Sequence, residues 1–179
     1  IMYGVAGERR LPELELPWLS GYEDSRPVRI GNGAAGQLQL DVFGEVIDCL
    51  HLGRRRGIRP RDHEWEVERE LIEHLERIYR EPDQGVWEIR GGPRHFTHSK
   101  VMAWVAFDRA VKNVVRYGLP GAAERWAKRR DDLHAEICAR AFDPDQNSFV
   151  QSYDSRHLDA GVLVIPLVGF LSPTDPRVI

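Results

Sequence analysis

Val101-Met102-Ala103-Trp104-Val105-Ala106-Phe107 is apolar at every position, inside a stretch that reads as one helix from about Thr97 to Tyr117. A helix without a polar face has no side to give to water, so it must be covered all round. Gly118 and Pro120 close it. Upstream, Asp62 is placed to cap a helix running to about Arg80. Its apolar stripe is Leu71, Ile72, Leu75, Ile78 and Tyr79, with Glu64, Glu66, Glu68, Glu70 and Arg77 expected to face water and Pro82 ending it. Further back, helical periodicity begins at Gly36. Phe43, Val46, Ile47 and Leu50 fall at i, i+3, i+4 and i+7 on a helix of about five turns. Gly53 and the run Arg54-Arg55-Arg56-Gly57, read as a solvated loop, terminate it.

Downstream of the apolar helix, a strongly charged helix is expected from Ala122 to Ala141, with Trp126, Leu133 and Ile137 inward. After the loop 142–156 an apolar helix is expected over Leu158–Phe170. The run Gly161–Leu171, interrupted by Pro166 and Gly169, is too short to cross a bilayer and reads as a buried core helix. Amphipathic helices thus alternate with fully buried ones, as two concentric helical layers require. The fold class is all-α with loops: 1–35 is a loop-rich segment, with a short strand at each end, and 36–179 carries the helices.

The 179 residues suffice for one ordinary domain. A net charge of -3 argues against a general nucleic-acid binder, which would carry a basic face. No signal-peptide pattern opens the chain, and no membrane partner is expected. Cys49 and Cys138 read as two buried free thiols, a count compatible with a reducing cytoplasm, where the protein is expected to reside. The ends, Ile1-Met2-Tyr3-Gly4-Val5 and Asp175-Pro176-Arg177-Val178-Ile179, lack the loose polar composition of natural termini, so the chain is expected to be an internal piece.

Three motifs invite a chemical reading. Gly31-Asn32-Gly33-Ala34-Ala35-Gly36 matches the glycine pattern of dinucleotide-binding turns. That turn needs a second parallel strand ending in an acid, and none follows; glycines in a tight turn explain the residues better. His95 and His98, at i and i+3, have no third ligand at metal-like spacing, so no metal is expected. The loop 82–96 is different. It gathers Trp87, Glu88, Arg90, Arg94 and His95 into a Gly-rich connection between two helices. Glycosidic cleavage needs a protonated carboxylic acid beside the leaving oxygen, and an apolar neighbour favours the protonated form. An aromatic ring offers a sugar a flat face, and arginine or histidine can donate to its hydroxyls. The competing reading, which composition alone favours, is that Glu88 pairs with Arg90 or Arg94 across a structural loop.

Gly85-Val86-Trp87-Glu88, continuing through Gly91-Gly92-Pro93-Arg94-His95-Phe96-Thr97-His98-Ser99-Lys100-Val101-Met102-Ala103-Trp104, resembles the acid-bearing segment of bacterial glycoside hydrolase family 15, the glucoamylase and trehalase group. The resemblance extends over Tyr3-Gly4-Val5, Gly7-Glu8-Arg9-Arg10-Leu11, Gly21-Tyr22, Ser25-Arg26-Pro27-Val28-Arg29-Ile30-Gly31-Asn32 and Gln37-Leu38-Gln39-Leu40-Asp41-Val42. Gln151-Ser152-Tyr153 and Leu158-Asp159-Ala160 also fit.

This resemblance implies part of an (α/α)6 barrel that hydrolyses α-glucosides with inversion and uses no cofactor. Glu88 would be the general acid and Trp87 its wall, with Arg26 and Pro27 on a loop bordering the glucose subsites. Ile89 stands where fungal glucoamylases carry a second glutamate, which puts a polysaccharide-type subsite in doubt. The resemblance places the catalytic base beyond Ile179, and the Arg-Asp element that grips the non-reducing glucose before Ile1. The 179 residues alone are therefore expected to be inactive and to self-associate through apolar helix faces. The leading expectation is a glucoamylase-like enzyme acting on an α-glucoside or oligosaccharide. A trehalase is the alternative, a non-catalytic helical carbohydrate-binding module the reading from another class, and a nucleotide-dependent oxidoreductase a distant fourth.

Overall fold

The computed structural model describes residues 3–58 and 63–179, so the Asp62 cap lies outside the described residues. Two compact units emerge, Ile1–Leu38 and Gln39–Ile179. In the first, β1 (Leu14–Glu15) pairs antiparallel with β2 (Arg29–Ile30). Arg29 reaches Glu15 at 2.8 Å and Glu13 at 3.4 Å, fastening the pair on its polar side. After β2 the chain turns at Gly31 (φ 85), and Asn32 Oδ1 accepts the Ala34 N–H at 2.9 Å to open one 3-10 turn, Gly33–Gly36. The glycine-rich stretch therefore leaves an antiparallel ribbon, not the parallel strand a dinucleotide turn requires.

The second unit is helical: α1 (Asp41–Arg55), α2 (Glu64–Ile78), α3 (Thr97–Tyr117), α4 (Ala123–Arg140) and α5 (Val164–Leu167). Between α4 and α5, β3 (Phe142–Asp143) and β4 (Ser148–Phe149) form a small hairpin. α3 is the central element and packs along both α1 and α4. Residues 99–110 of α3 are all buried, as the apolar run predicts. Gly118 ends α3 in the left-handed region (φ 67), and its N–H donates to the Val114 carbonyl. α4 buries Trp126, Leu133 and Ile137, the inward face expected of it. Trp126 meets Trp65 of α2 edge-on, with centroids 6.5 Å apart and planes at 78°, a geometry that adds about 0.5–1.5 kcal/mol beyond burial.

Several expectations are corrected. The chain from 158 to 170 is not one buried helix but a 3-10 turn, Ala160–Leu163, followed by the single turn of α5. Pro166 and the left-handed Gly169 (φ 77) stop propagation, and Leu158, Leu163 and Leu167 are exposed. Only part of the segment turns inward: Phe170 lies edge-on to Trp104 and against His134. On α1 the expected stripe also shifts. Ile47 is buried, but Val46 is exposed, and the inward line is Asp41, Gly44, Ile47, His51 and Arg54.

The reason is a polar network that periodicity alone sorts to the wrong side. Glu68 of α2 is fully buried, not solvated, and Arg54 is buried beside it, not part of a solvated loop. Arg54 Nη1 donates to Glu68 Oε2 at 2.9 Å, the Arg54 guanidinium lies over the Trp65 ring, and Asn113 Nδ2 reaches Glu68 at 3.5 Å. Asn113 in turn meets His51 Nδ1 at 2.7 Å. Charged side chains are buried here because each finds a partner on another helix. Both cysteines are free thiols, but neither is buried as expected: Cys49 is exposed and Cys138 half-buried. Among the described residues no helix is long and apolar enough to cross a membrane.

Candidate active site

The loop that carries Glu88 is closed at its base. Asp83 and Arg94 form an antiparallel bridge, Asp83 N–H to Arg94 carbonyl at 2.9 Å and Arg94 N–H to Asp83 carbonyl at 2.8 Å. Three helices meet this base. The buried Asp83 carboxylate accepts the Leu40 N–H, just before α1, at 3.0 Å. Lys100, in the first turn of α3, donates through Nζ to the carbonyls of Tyr79 (2.6 Å) and Glu81 (2.9 Å) just past α2. The carbonyls just past a helix end have no partner within the helix, and Lys100 supplies one. Burial pulls the Lys100 ammonium down to about 8, and burial pushes the Asp83 carboxyl up.

Above that base the loop is tight. Gly85 (φ 69) opens a turn in which the Glu88 N–H donates to the Gly85 carbonyl at 3.1 Å. A Cβ on Gly85 would lie 2.8 Å from the buried Phe96 ring, so a side chain there is excluded both by backbone and by space. Glu88 itself adopts φ 49, a left-handed conformation that a residue with a Cβ takes only when its surroundings impose it. Its side chain is exposed, and Gln39 Nε2 donates to its Oε1 at 3.3 Å.

Trp87 is 58% exposed, so packing does little to orient its ring. A hydrogen bond does so instead: its indole N–H points between the two oxygens of Asp159, 3.0 Å from Oδ1 and 2.8 Å from Oδ2. Asp159 also accepts from Gln151 Nε2 at 2.7 Å and from the Gly161 N–H at 2.6 Å. The Gln151 carbonyl accepts the N–H of Thr97, the first residue of α3. A second acidic residue, Asp41, is buried at the start of α1 with Oδ2 3.9 Å from His98 Nδ1.

The other residues singled out in the sequence are dispersed. Arg90 is exposed on the same loop, and Arg94 is exposed at its base, where its backbone forms the bridge. His95 is half-buried and stacks on Tyr153, with centroids 5.7 Å apart and planes at 27°. Burial lowers the pKa of this histidine. Arg26 belongs to the first unit, is exposed, and precedes Pro27 through a cis peptide. Sequence reasoning missed Asp159, Gln151, Gln39 and Asp41 as neighbours of these groups. Each lies in a stretch the family resemblance covers, but no spacing rule links them to the loop. Glu88 and Trp87 thus stand side by side in sequence on a closed loop, each side chain held by a partner outside it, Gln39 for the carboxyl and Asp159 for the indole.

A family model described as Glycosyl hydrolases family 15 matches residues 1–179. Among curated proteins the chain is 44% identical over 178 residues to a trehalase of Mycobacterium tuberculosis, covering 99% of this chain and 26% of that one. It is 42% identical to a trehalase of Mycolicibacterium smegmatis over 99% of this chain and 26% of the relative. To a trehalase of Thermoplasma acidophilum it is 35% identical, over 99% of this chain and 30% of the relative. The chain thus spans between a quarter and a third of the length of these relatives. Two solved glycosidase variants, one in complex with glucose, share the fold at a TM-score of 0.68 and 15% identity, covering 87% of this chain and 43% of each. The helical arrangement is accordingly of the (α/α)6 type.

Proposed function

Because the chain belongs to glycosyl hydrolases family 15, we propose that the protein containing it is an inverting α-glucoside hydrolase whose substrate is trehalose, with Glu88 as the general acid. The observation that carries this reading is the placement of Glu88 at the tip of a loop pinned to three helices, next to the tethered ring of Trp87. Trp87, Arg90, Arg94 and His95 are proposed to meet the sugar, and the family resemblance alone adds Arg26 to the substrate-binding residues.

In the reaction the bond between the anomeric carbon and the bridging oxygen breaks, and its electron pair goes to that oxygen, which takes the proton of Glu88. A water adds to the anomeric carbon from the opposite face and gives its proton to a second carboxylate, roughly 6.5–9.5 Å from the first. The resemblance puts that base beyond Ile179, so the 179 residues by themselves are proposed to be inactive.

Two things favour trehalose over α-1,4-glucans: the names of the three relatives cited, and Ile89 in the place of a second glutamate. The test is the full-length protein on trehalose, maltose and maltotriose, with the released anomers followed by NMR. Inverting cleavage of trehalose gives one β-glucose and one α-glucose per event, so equal amounts at early times are expected. A preference for maltotriose would instead restore a glucoamylase-like reading. No turnover of any of the three sugars would favour a non-catalytic carbohydrate-binding role.

A further inference from the structure

We propose that Asp159 is a positioning residue, the group that sets the orientation of Trp87 and through it the walled side of Glu88. This rests on the reading of Glu88 as the acid. The ring of Trp87 is largely exposed, and it sits on a loop joined to the helices at its base through Asp83 and Lys100. The hydrogen bond that fixes its direction comes from a residue 72 positions away. A carboxylate held by a single contact would itself be free to rotate. Asp159 is not: the Gly161 N–H holds Oδ1 at 2.6 Å and the Gln151 amide holds Oδ2 at 2.7 Å, leaving both oxygens aimed at the indole. Gln151 is anchored to the first residue of α3 through the Thr97 N–H. The chain of contacts therefore runs from the start of α3, through an amide and a carboxylate, to the ring of the residue that precedes the acid. A neutral amide at 159 would keep the shape but weaken the bond, since charge-assisted hydrogen bonds are roughly twice as strong as neutral ones.

The test uses the full-length protein and whichever of trehalose and maltose the wild type hydrolyses. If it hydrolyses neither, the functional reading fails and the role of Asp159 falls with it. If it hydrolyses either, a thermodynamic cycle isolates the tether: Asp159→Asn, Trp87→Phe and the double variant, each with kcat, KM and Tm measured. Asp159→Asn and Trp87→Phe are each expected to lower kcat at least tenfold with KM changed less than threefold. The double variant is expected to be no more than threefold worse than either alone, because both remove one bond. Trp87→Phe takes away the donor together with the five-membered part of the indole, so its loss counts for the tether only where the double variant shows no further loss. Wild-type kcat in Trp87→Phe, additive losses in the cycle, or a loss confined to KM would each overturn the proposal.

Discussion

The carboxylate of Asp83 accepts the backbone N–H of Leu40 at 3.0 Å, joining the base of the loop to the entry of α1 across 43 residues of sequence. Asp83 is wholly buried, so deleting its side chain leaves an N–H that water does not reach. Leaving a buried donor unmatched costs about 1–3 kcal/mol. Asp83→Ala in the full-length protein is expected to lower stability by that amount in urea unfolding, and to reduce turnover by loosening the loop. An unchanged urea midpoint would show that the contact holds nothing in place.

Glu88→Gln keeps the size of the side chain and removes its proton. If Glu88 is the acid, turnover falls by about 10²–10⁴-fold while KM changes little. NMR of the released glucose in the full-length variant measures this directly, and activity indifferent to the substitution would remove Glu88 from the mechanism.

Lys100 gives a pH dependence with a definite sign. Its ammonium is depressed from 10.5 to about 8 in the folded protein. Between those values the unfolded chain binds the proton and the folded chain does not, so stability rises with pH across that window. A depression of this size corresponds to about 3 kcal/mol gained from pH 8 to 10.5. Urea unfolding of the full-length protein across that range, compared with Lys100→Met, should show the gain in the wild type and its absence in the variant.

Gly44 inverts the usual helix-propensity rule. Ala in place of Gly inside a helix ordinarily stabilises by about 1 kcal/mol. Here the added Cβ would run into the Met102 carbonyl and lie 2.8 Å from the Met102 Cβ, because α1 and α3 cross with almost no gap. The clash is expected to win, so that Gly44→Ala destabilises by about 1–3 kcal/mol. A rise in Tm would mean that the crossing can open without loss.

The buried pair of Arg54 and Glu68 is expected to be costly to break and cheap to replace. Glu68→Leu alone strands a guanidinium and should cost about 3–5 kcal/mol. Adding Arg54→Met should recover most of that loss, measured by chemical denaturation. Equal effects of the single and double variants would place the energy in Asn113 and His51 instead.

The 179 residues taken alone are expected to associate. Val115 and Leu167 are 74% and 83% exposed and border one cleft of about 530 Å³, with Leu163 also open to solvent. Large apolar side chains left open to water favour association. A monomer by light scattering at micromolar concentration would contradict this.

The helices were legible where periodicity had one cause. α3 and α4 match their expected bounds because α3 is apolar throughout and α4 alternates cleanly around Trp126, Leu133 and Ile137. Reading failed where a partner reversed the sign of a residue. Glu68 counts as polar in any pattern, yet Arg54 and Asn113 make its burial tolerable. It failed again at 158–170, where apolar composition suggested a helix that Pro166 and Gly169 do not permit. At the candidate site, Trp87 and Glu88 can be proposed from sequence because they are adjacent in it. Asp159 and Gln39 cannot, because what relates them to the loop is closure of the chain in space, which local spacing does not encode.

The bridge between Asp83 and Arg94 divides the molecule's freedom to change. The contacts of Asp83 with Leu40 and of Lys100 with Tyr79 and Glu81 lie at that base, and the ten residues between the two ends lie beyond it. Such a loop behaves as an interchangeable cassette. Its remaining positions can be rewritten without asking the helices to repack, as long as the bridge, the Gly85 turn, Glu88 and the tie of Trp87 to Asp159 are kept. Selection for a new sugar, natural or in the laboratory, has a short stretch to work on and a frame that does not resist it.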